Sequence, residues 1–353
     1  MVDSTRTAAA VAAAALLLTA CSSGTASTPS ATPTAKACPT ASPAGPPQGR
    51  QGGPGNLAAA KTIKPADMAN SEALDPSGPQ IQCGKTALTS HNDVVYATGL
   101  KMDIQAPATA GAKPAVLYLP GGGFMSADRT QNLDQRTYLA EQGFVVVGVQ
   151  YRTEADGAIY TDAVQDVKSA ISFLRAHATE YGIDPTKIAV WGQSAGGYLS
   201  AMTAVLDGGV QAVVDQFGPA NLSKVGDDYD DAAKAANVAP GNNLAKWVYG
   251  PDTTKSTADY TPEVAAADPS THVTSSTPPF LLLHGTADQL VSPSQTLTLA
   301  NTLKAKGVPF TRYLVQGANH GDLSFTGDTS APKYWSTVTV MGKIVDFLKQ
   351  RLG

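Results

Sequence analysis

One pentapeptide constrains this chain more than any other feature. Gly192-Gln193-Ser194-Ala195-Gly196 directly follows the run Lys187-Ile188-Ala189-Val190-Trp191 and opens a small-residue stretch, Ala195 to Leu206, with the character of a helix. Strand, Gly-x-Ser-x-Gly, helix is the setting in which this pattern makes a nucleophile elbow. The glycines let the chain reverse so sharply that the serine projects from the turn. The start of the helix aims backbone N–H groups at the same point. In a chain with 33 glycines such a match arises easily by chance, so its meaning rests on what accompanies it.

Strands and helices alternate around it. Val94 to Tyr96 and Leu100 to Ile104 read as paired strands ahead of the first core strand, Ala115 to Leu119. That run is continuously apolar, as a strand covered on both faces must be. Phe144 to Val149, Ala212 to Val214, Phe280 to Leu283 and Phe310 to Val315 continue the strand series. Arg136 to Gln142 completes a helix. Between Thr161 and Tyr181 apolar residues recur at steps of three and four, the period of an amphipathic helix. Ser292-Pro293-Ser294-Gln295 has the form of an N-cap, a proline at the first helical position and a capping-box glutamine, opening a helix that closes at Gly307. Tyr334 to Leu352 is the last helix. Such alternation implies an α/β fold with a mostly parallel sheet and helices on both faces. Residues 221–276 interrupt it. They are expected to form either a small cap-like insertion bordering the pocket or a surface excursion with its own minor core.

Acyl transfer at a serine requires a base, an acid to orient that base, and donors for the oxyanion. His320, in a Gly-rich loop just past the last strand, is the candidate base. Asp288, in His284-Gly285-Thr286-Ala287-Asp288, is the candidate acid. Asp322 is a weaker rival, since two residues from the base is a poor geometry. The order Ser194, Asp288, His320 is that of one serine-hydrolase class and not of the chymotrypsin-like or subtilisin-like proteases. Gly122 and Gly123, after the first buried strand, and Ala195, after the serine, are the candidate oxyanion donors. The remaining histidines read otherwise: His91 lies ahead of the core sheet, His177 is mid-helix, His272 is in the insertion, and His284 fixes the loop that follows it. There is no His-Glu-x-x-His and no cysteine pair at zinc spacing, and 121–123 lacks the spacing and lysine of a phosphate loop. No metal or cofactor is expected.

The N-terminus carries a separate message. Ala8 to Leu18 is an apolar run of signal-peptide length, too short to span a bilayer. It ends in Leu18-Thr19-Ala20-Cys21, which is similar to the lipobox of bacterial lipoproteins. Residues 1–20 are thus expected to be a lipoprotein signal peptide and Cys21 to carry lipid; the alternative is an ordinary secretory signal. Either way the protein is expected outside the cytoplasm, anchored to the membrane or secreted. Residues 21–84, rich in Ser, Thr, Pro and Ala, are expected to be a disordered tether and lead-in, with the folded domain at 85–353. Export permits a disulfide between Cys38 and Cys83, which would staple tether to domain; the alternative is two unpaired thiols. A net charge of −4 with no basic run excludes a nucleic-acid partner.

Together these residues resemble the α/β-hydrolase superfamily, in its esterase and lipase branch with a His-Gly-Gly-Gly loop, and more narrowly the bacterial feruloyl-esterase-related carboxylesterases. The matching segments are Leu119-Pro120-Gly121-Gly122-Gly123-Phe124, Val149-Gln150-Tyr151-Arg152, Ala163 to Val167, Tyr181 to Pro185, Val190 to Gly197, Leu283 to Asp288 and Asn319-His320-Gly321. The resemblance implies the triad Ser194, Asp288 and His320, an acyl-enzyme route and no cofactor. Its expected substrate is a small acyl, acetyl or feruloyl-type ester, free or linked to a polysaccharide. The chain departs from the family at Pro120, which stands where the loop histidine belongs. A related-fold serine peptidase and a catalytically silent surface binding protein are the competing readings.

Overall fold

The computed structural model describes residues 36–40, 58–321 and 332–353. The expected signal segment 1–20, Cys21, half of the expected tether and lead-in (residues 21–35 and 41–57) and Asp322 lie outside the described residues. In chain order the elements are β1 (Lys36–Ala37), β2 (Glu72–Leu74), β3 (Gln82–Cys83), β4 (Leu88–Ala97), β5 (Leu100–Pro107), β6 (Lys113–Leu119), α1 (Leu133–Glu141), β7 (Val145–Val149), α2 (Tyr160–Ala176), β8 (Ile183–Gln193), α3 (Ala195–Val205) and β9 (Ala212–Gln216). There follow α4 (Asp231–Asn237), α5 (Asn243–Tyr249), α6 (Pro262–Ala266), β10 (Phe280–Gly285), α7 (Ser294–Ala305), β11 (Phe310–Val315) and α8 (Val338–Leu352).

Nine of the described strands form one sheet in the order β2-β11-β10-β9-β8-β6-β7-β5-β4. Every pairing from β2 to β7 is parallel, and only β5 and β4 join antiparallel at the far edge. Successive side chains of a strand point to opposite faces, and the core divides accordingly. Ala115, Leu117 and Leu119 of β6 pack with Val167 and Ile171 of α2, Leu199 of α3 and Leu303 of α7. Val116 and Tyr118 pack on the other face with Leu139 of α1 and Ile344 and Leu348 of α8. Helices therefore cover both faces, and the central strands need the unbroken apolar runs seen in the sequence.

The insertion between β9 and β10 holds α4, α5 and α6 and no strand of the sheet. It begins at the C-terminal end of β9, on the edge where the functional loops gather.

The structure changes three details of the sequence reading. The folded domain starts well before residue 85. Ala58 is already bonded to Asn237, and β2 adds to the sheet beside β11, pairing Glu72 with Tyr313 and Leu74 with Val315. A three-residue edge strand held by backbone hydrogen bonds has no periodicity to read. Next, Gln295 is not a capping-box residue. Its buried amide accepts the N–H groups of Ala220 and Asn221 at 2.9 and 2.8 Å and donates to the Lys224 carbonyl at 2.7 Å, tying α7 to the base of the insertion. The last helix, finally, starts at Val338, after a short 3-10 turn at Tyr334–Ser336.

Cys38 and Cys83 are disulfide-bonded, with Cα atoms 4.7 Å apart. The bond joins β1 to β3, which pair antiparallel.

Candidate active site

The candidate residues all leave the C-terminal edge of the parallel sheet, where ligands bind in open α/β folds. Ser194 follows β8, Gly121 to Gly123 follow β6, Asp288 follows β10 and His320 follows β11.

Ser194 occupies φ 55°, ψ −122°, a region that costs a side-chain-bearing residue free energy. The surroundings hold it there. Its N–H donates to the Gln216 carbonyl at 2.9 Å, and its own carbonyl accepts from Tyr198 at 3.0 Å. The flanking glycines are required by close approach: a Cβ on Gly196 would fall on the Leu119 carbonyl, and one on Gly192 on the Gly196 carbonyl. Strand β6, helix α3 and the turn are thereby packed backbone to backbone.

His320 is 2.8 Å from Ser194, Nε2 to Oγ, and 2.8 Å from Asp288, Nδ1 to Oδ2. Its backbone N–H donates to Asn319 Oδ1 at 2.7 Å, and its ring lies 4.7 Å from that of Phe217. The three residues, far apart in sequence, form one continuous hydrogen-bonded relay.

Asp288 is fully buried. Burial alone would raise its carboxyl. The charge of His320 and the hydrogen bonds from His284 and His320 outweigh that and hold it well below the usual carboxylate range. Its Oδ1 also accepts the N–H groups of Leu290 and Val291 at 2.9 and 3.0 Å. A carboxylate so placed stays ionised and orients an imidazole without taking its proton.

The glycine loop lies against the serine: a Cβ on Gly121 would sit 3.2 Å from the Ser194 Cβ. Where the family resemblance expects a histidine, Pro120 is held through its carbonyl by the Tyr151 hydroxyl at 2.6 Å. The Gly122 carbonyl accepts from Met125 at 3.0 Å, and the Phe124 carbonyl from Glu154 at 2.8 Å. The Phe124 ring stands edge-on to Tyr198 and 5.0 Å from Trp247 of α5, so the insertion packs directly on this loop. Ala195 is the first residue of α3, and the first-turn amides of a helix have no partner within it.

Sequence reasoning missed several supporting residues. Gln193 donates to Gln135 and Gln216 at 2.9 and 3.1 Å and accepts from Asn132 at 2.6 Å, bracing the elbow from α1 and β9. Tyr151 and Arg152 lay in a matched segment, yet nothing local revealed that one anchors the glycine loop. The other forms a close ion pair with Asp166 at 2.7 Å. His284 does fix its loop, bonding Thr296 and the Val291 carbonyl.

A serine, histidine and aspartate hydrogen-bonded to one another past the ends of β8, β11 and β10 of a mostly parallel sheet have the arrangement of the α/β-hydrolase class. The BD-FAE family pattern matches residues 102–303, over half the chain, and the chain belongs to the BD-FAE family. The match takes in Ser194 and Asp288 and ends ahead of His320. The chain is similar to the probable carboxylic ester hydrolase LipM of Mycobacterium tuberculosis, 28% identical over 265 residues, covering 71% of this chain and 57% of that one. It is similar to esterase LipC of the same organism, 30% identical over 236 residues, covering 62% and 55%. The chain thus spans about half the length of the curated relatives it matches. A truncated carbohydrate esterase from gut microbiota shares the fold at TM-score 0.66 and 24% identity, covering 78% of this chain and 99% of its own. Thermogutta terrifontis esterase 2 phosphonylated by sarin aligns at TM-score 0.57 and 25% identity, covering 75% and 94%.

Proposed function

We propose that the protein is a carboxylic ester hydrolase that works through an acyl-enzyme on Ser194. The carrying observation is the relay Ser194–His320–Asp288, with both bonds at 2.8 Å. His320 Nε2 takes the hydroxyl proton as Oγ attacks the ester carbonyl. Asp288 holds the ring by Nδ1–H and stabilises the imidazolium. The amides of Gly122, Gly123 and Ala195 receive the oxyanion. His320 then protonates the departing alcohol, and in the second half-reaction draws a proton from the water that frees the acid. Several relatives are named as esterases, which supports the reaction class. The substrate is a small acyl, acetyl or feruloyl-type ester, free or on a polysaccharide. The protein works outside the cytoplasm, held to the membrane by lipid on Cys21, as the Leu-Thr-Ala-Cys segment expects.

The test is hydrolysis of p-nitrophenyl acetate and butyrate by the mature chain, followed by a panel of acetylated and feruloylated glycans. Turnover abolished by Ser194→Ala, with wild-type Ser194 labelled by a fluorophosphonate, is the expected result. Activity confined to peptide amides, or no turnover and no labelling, overturns the reading. Metabolic labelling with a palmitate analogue, lost in Cys21→Ala, checks the anchor.

A further inference from the structure

The candidate acid sits on a loop without regular structure, and its backbone looks outward for partners. Two consecutive carbonyls of that loop are taken from elsewhere in the chain. The Asp288 carbonyl accepts from the Tyr229 hydroxyl at 3.0 Å, and the Gln289 carbonyl from the Ala60 N–H at 2.8 Å. Tyr229 lies at the start of the insertion. Ala60 lies far upstream, beyond the residues 102–303 that the family pattern covers.

The segment around Ala60 is fastened to the insertion along its length. The Ala58 N–H donates to Asn237 Oδ1 at 2.7 Å, and those of Lys61 and Thr62 to Asp230 Oδ2 at 2.8 and 3.3 Å. Ile63 bridges Tyr229 antiparallel, and Lys64 donates to the Asp228 carbonyl at 2.8 Å. Ala60, Tyr229 and Ala233 bury one another in a small apolar cluster separate from the main core. The insertion is also tied to the acid loop directly, because Asp228 Oδ2 accepts from Ser294 at 2.9 Å and from the Ser292 hydroxyl. Downstream, the same segment runs into β2, bonded to the strand that leads to His320.

A short chain of contacts connects this segment to the base. Ala60 holds the Gln289 carbonyl. The Gln289 N–H donates to Asn319 Oδ1 at 3.0 Å, and that same oxygen accepts the His320 N–H. Catalytic groups displaced by about 1 Å lose on the order of a hundredfold in rate, so the restraint on this loop bears on turnover.

We propose that residues 58–64 form a strap that clamps the start of the insertion onto the acid loop, acting directly through Ala60 and indirectly by holding Tyr229, a positioning residue for Asp288. The proposal rests on the triad reading above. The strap carries no catalytic group. It supplies, from outside the family-matched region, the donor for the Gln289 carbonyl next to the acid, and it fastens the insertion whose Tyr229 serves the Asp288 carbonyl; together these set the distance between Asp288 and His320.

The experiment uses the full chain with three substitutions. Ala60→Pro removes the donor to Gln289, Tyr229→Phe removes the donor to Asp288, and Lys61→Ala keeps its backbone donor and trims an exposed side chain. Three quantities are measured: kcat and KM on p-nitrophenyl acetate, backbone hydrogen exchange, and melting temperature. Ala60→Pro and Tyr229→Phe are expected to lower kcat by about tenfold or more with KM within about twofold. Exchange at 286–293 is expected to quicken while β8 stays protected, and Lys61→Ala is expected to match wild type. Folded variants with kcat within about twofold of wild type, or a loss of kcat that only tracks global unfolding, overturn the strap. If Ala60→Pro fails to fold, the isosteric Tyr229→Phe decides. If wild type hydrolyses no ester, the triad reading fails by itself and hydrogen exchange decides the strap: unchanged exchange at 286–293 in both variants overturns it.

Discussion

Two imidazoles meet at one carboxylate. His284, at the end of β10, places Nε2 3.3 Å from Asp288 Oδ2; His320, past the end of β11, places Nδ1 2.8 Å from the same oxygen. Their chemistry differs because their other contacts differ. His284 is wholly buried, with Nε2 also 2.9 Å from the Val291 carbonyl and Nδ1 3.1 Å from the Thr296 hydroxyl. Both its nitrogens are committed to the protein, so it shapes the loop that presents the acid. His320 gives Nδ1 to Asp288 and leaves Nε2 for Ser194. Both rings share the Asp288 carboxylate, and of the two His320 also faces the serine hydroxyl.

Breaking each partner separately sharpens this contrast. His320→Ala is expected to cost about 10⁴-fold or more in kcat on p-nitrophenyl acetate, with the melting temperature close to wild type. Asp288→Asn removes the orienting charge from both rings and is expected to cost about 10³- to 10⁴-fold in kcat with little change in KM. His284→Leu reverses the pattern. It leaves the Val291 carbonyl and Asp288 short of a partner and is expected to destabilise the fold by about 1–3 kcal/mol in urea unfolding, with kcat reduced by less than about tenfold. A His284→Leu loss as deep as that of His320→Ala would dissolve the distinction.

The smallest effect is in pH. The folded-state pKa of Asp288 lies below its unfolded value, so its contribution to stability is complete above the ordinary carboxylate range and fades as pH falls through the folded value. The stability gap between wild type and Asp288→Asn should therefore narrow as pH falls below about pH 4. A gap that stays unchanged down to about pH 2 would place the stabilising charge on another group.

The elbow was readable because its requirements are local. Gly192 and Gly196 face backbone within a few residues or on the adjacent strand, and the apolar runs of β6 and β8 follow from burial on both faces. Asp288 and His320 were readable from their places after strands and their order behind Ser194. The strap at 58–64, the Tyr151 anchor and the Gln193 amide network were not. Each consists of polar groups satisfied at long range, and such pairings leave no period in the sequence. Gln295 shows local and tertiary demands competing: its spacing fits a cap, but two amides of the insertion needed an acceptor more. At Pro120 the sequence showed a family histidine missing; the structure shows a tyrosine hydroxyl on the loop carbonyl instead.

By itself the sequence determined the alternation of strand and helix, the sharp turn at Ser194 and the chain order of the three candidate residues. Periodicity, glycine placement and connectivity are properties of neighbours along the chain. Only the tertiary structure decided which histidine faces the serine, what holds the glycine loop and where the folded domain begins. Those depend on distances between segments tens to hundreds of residues apart, which close only when the sheet has assembled.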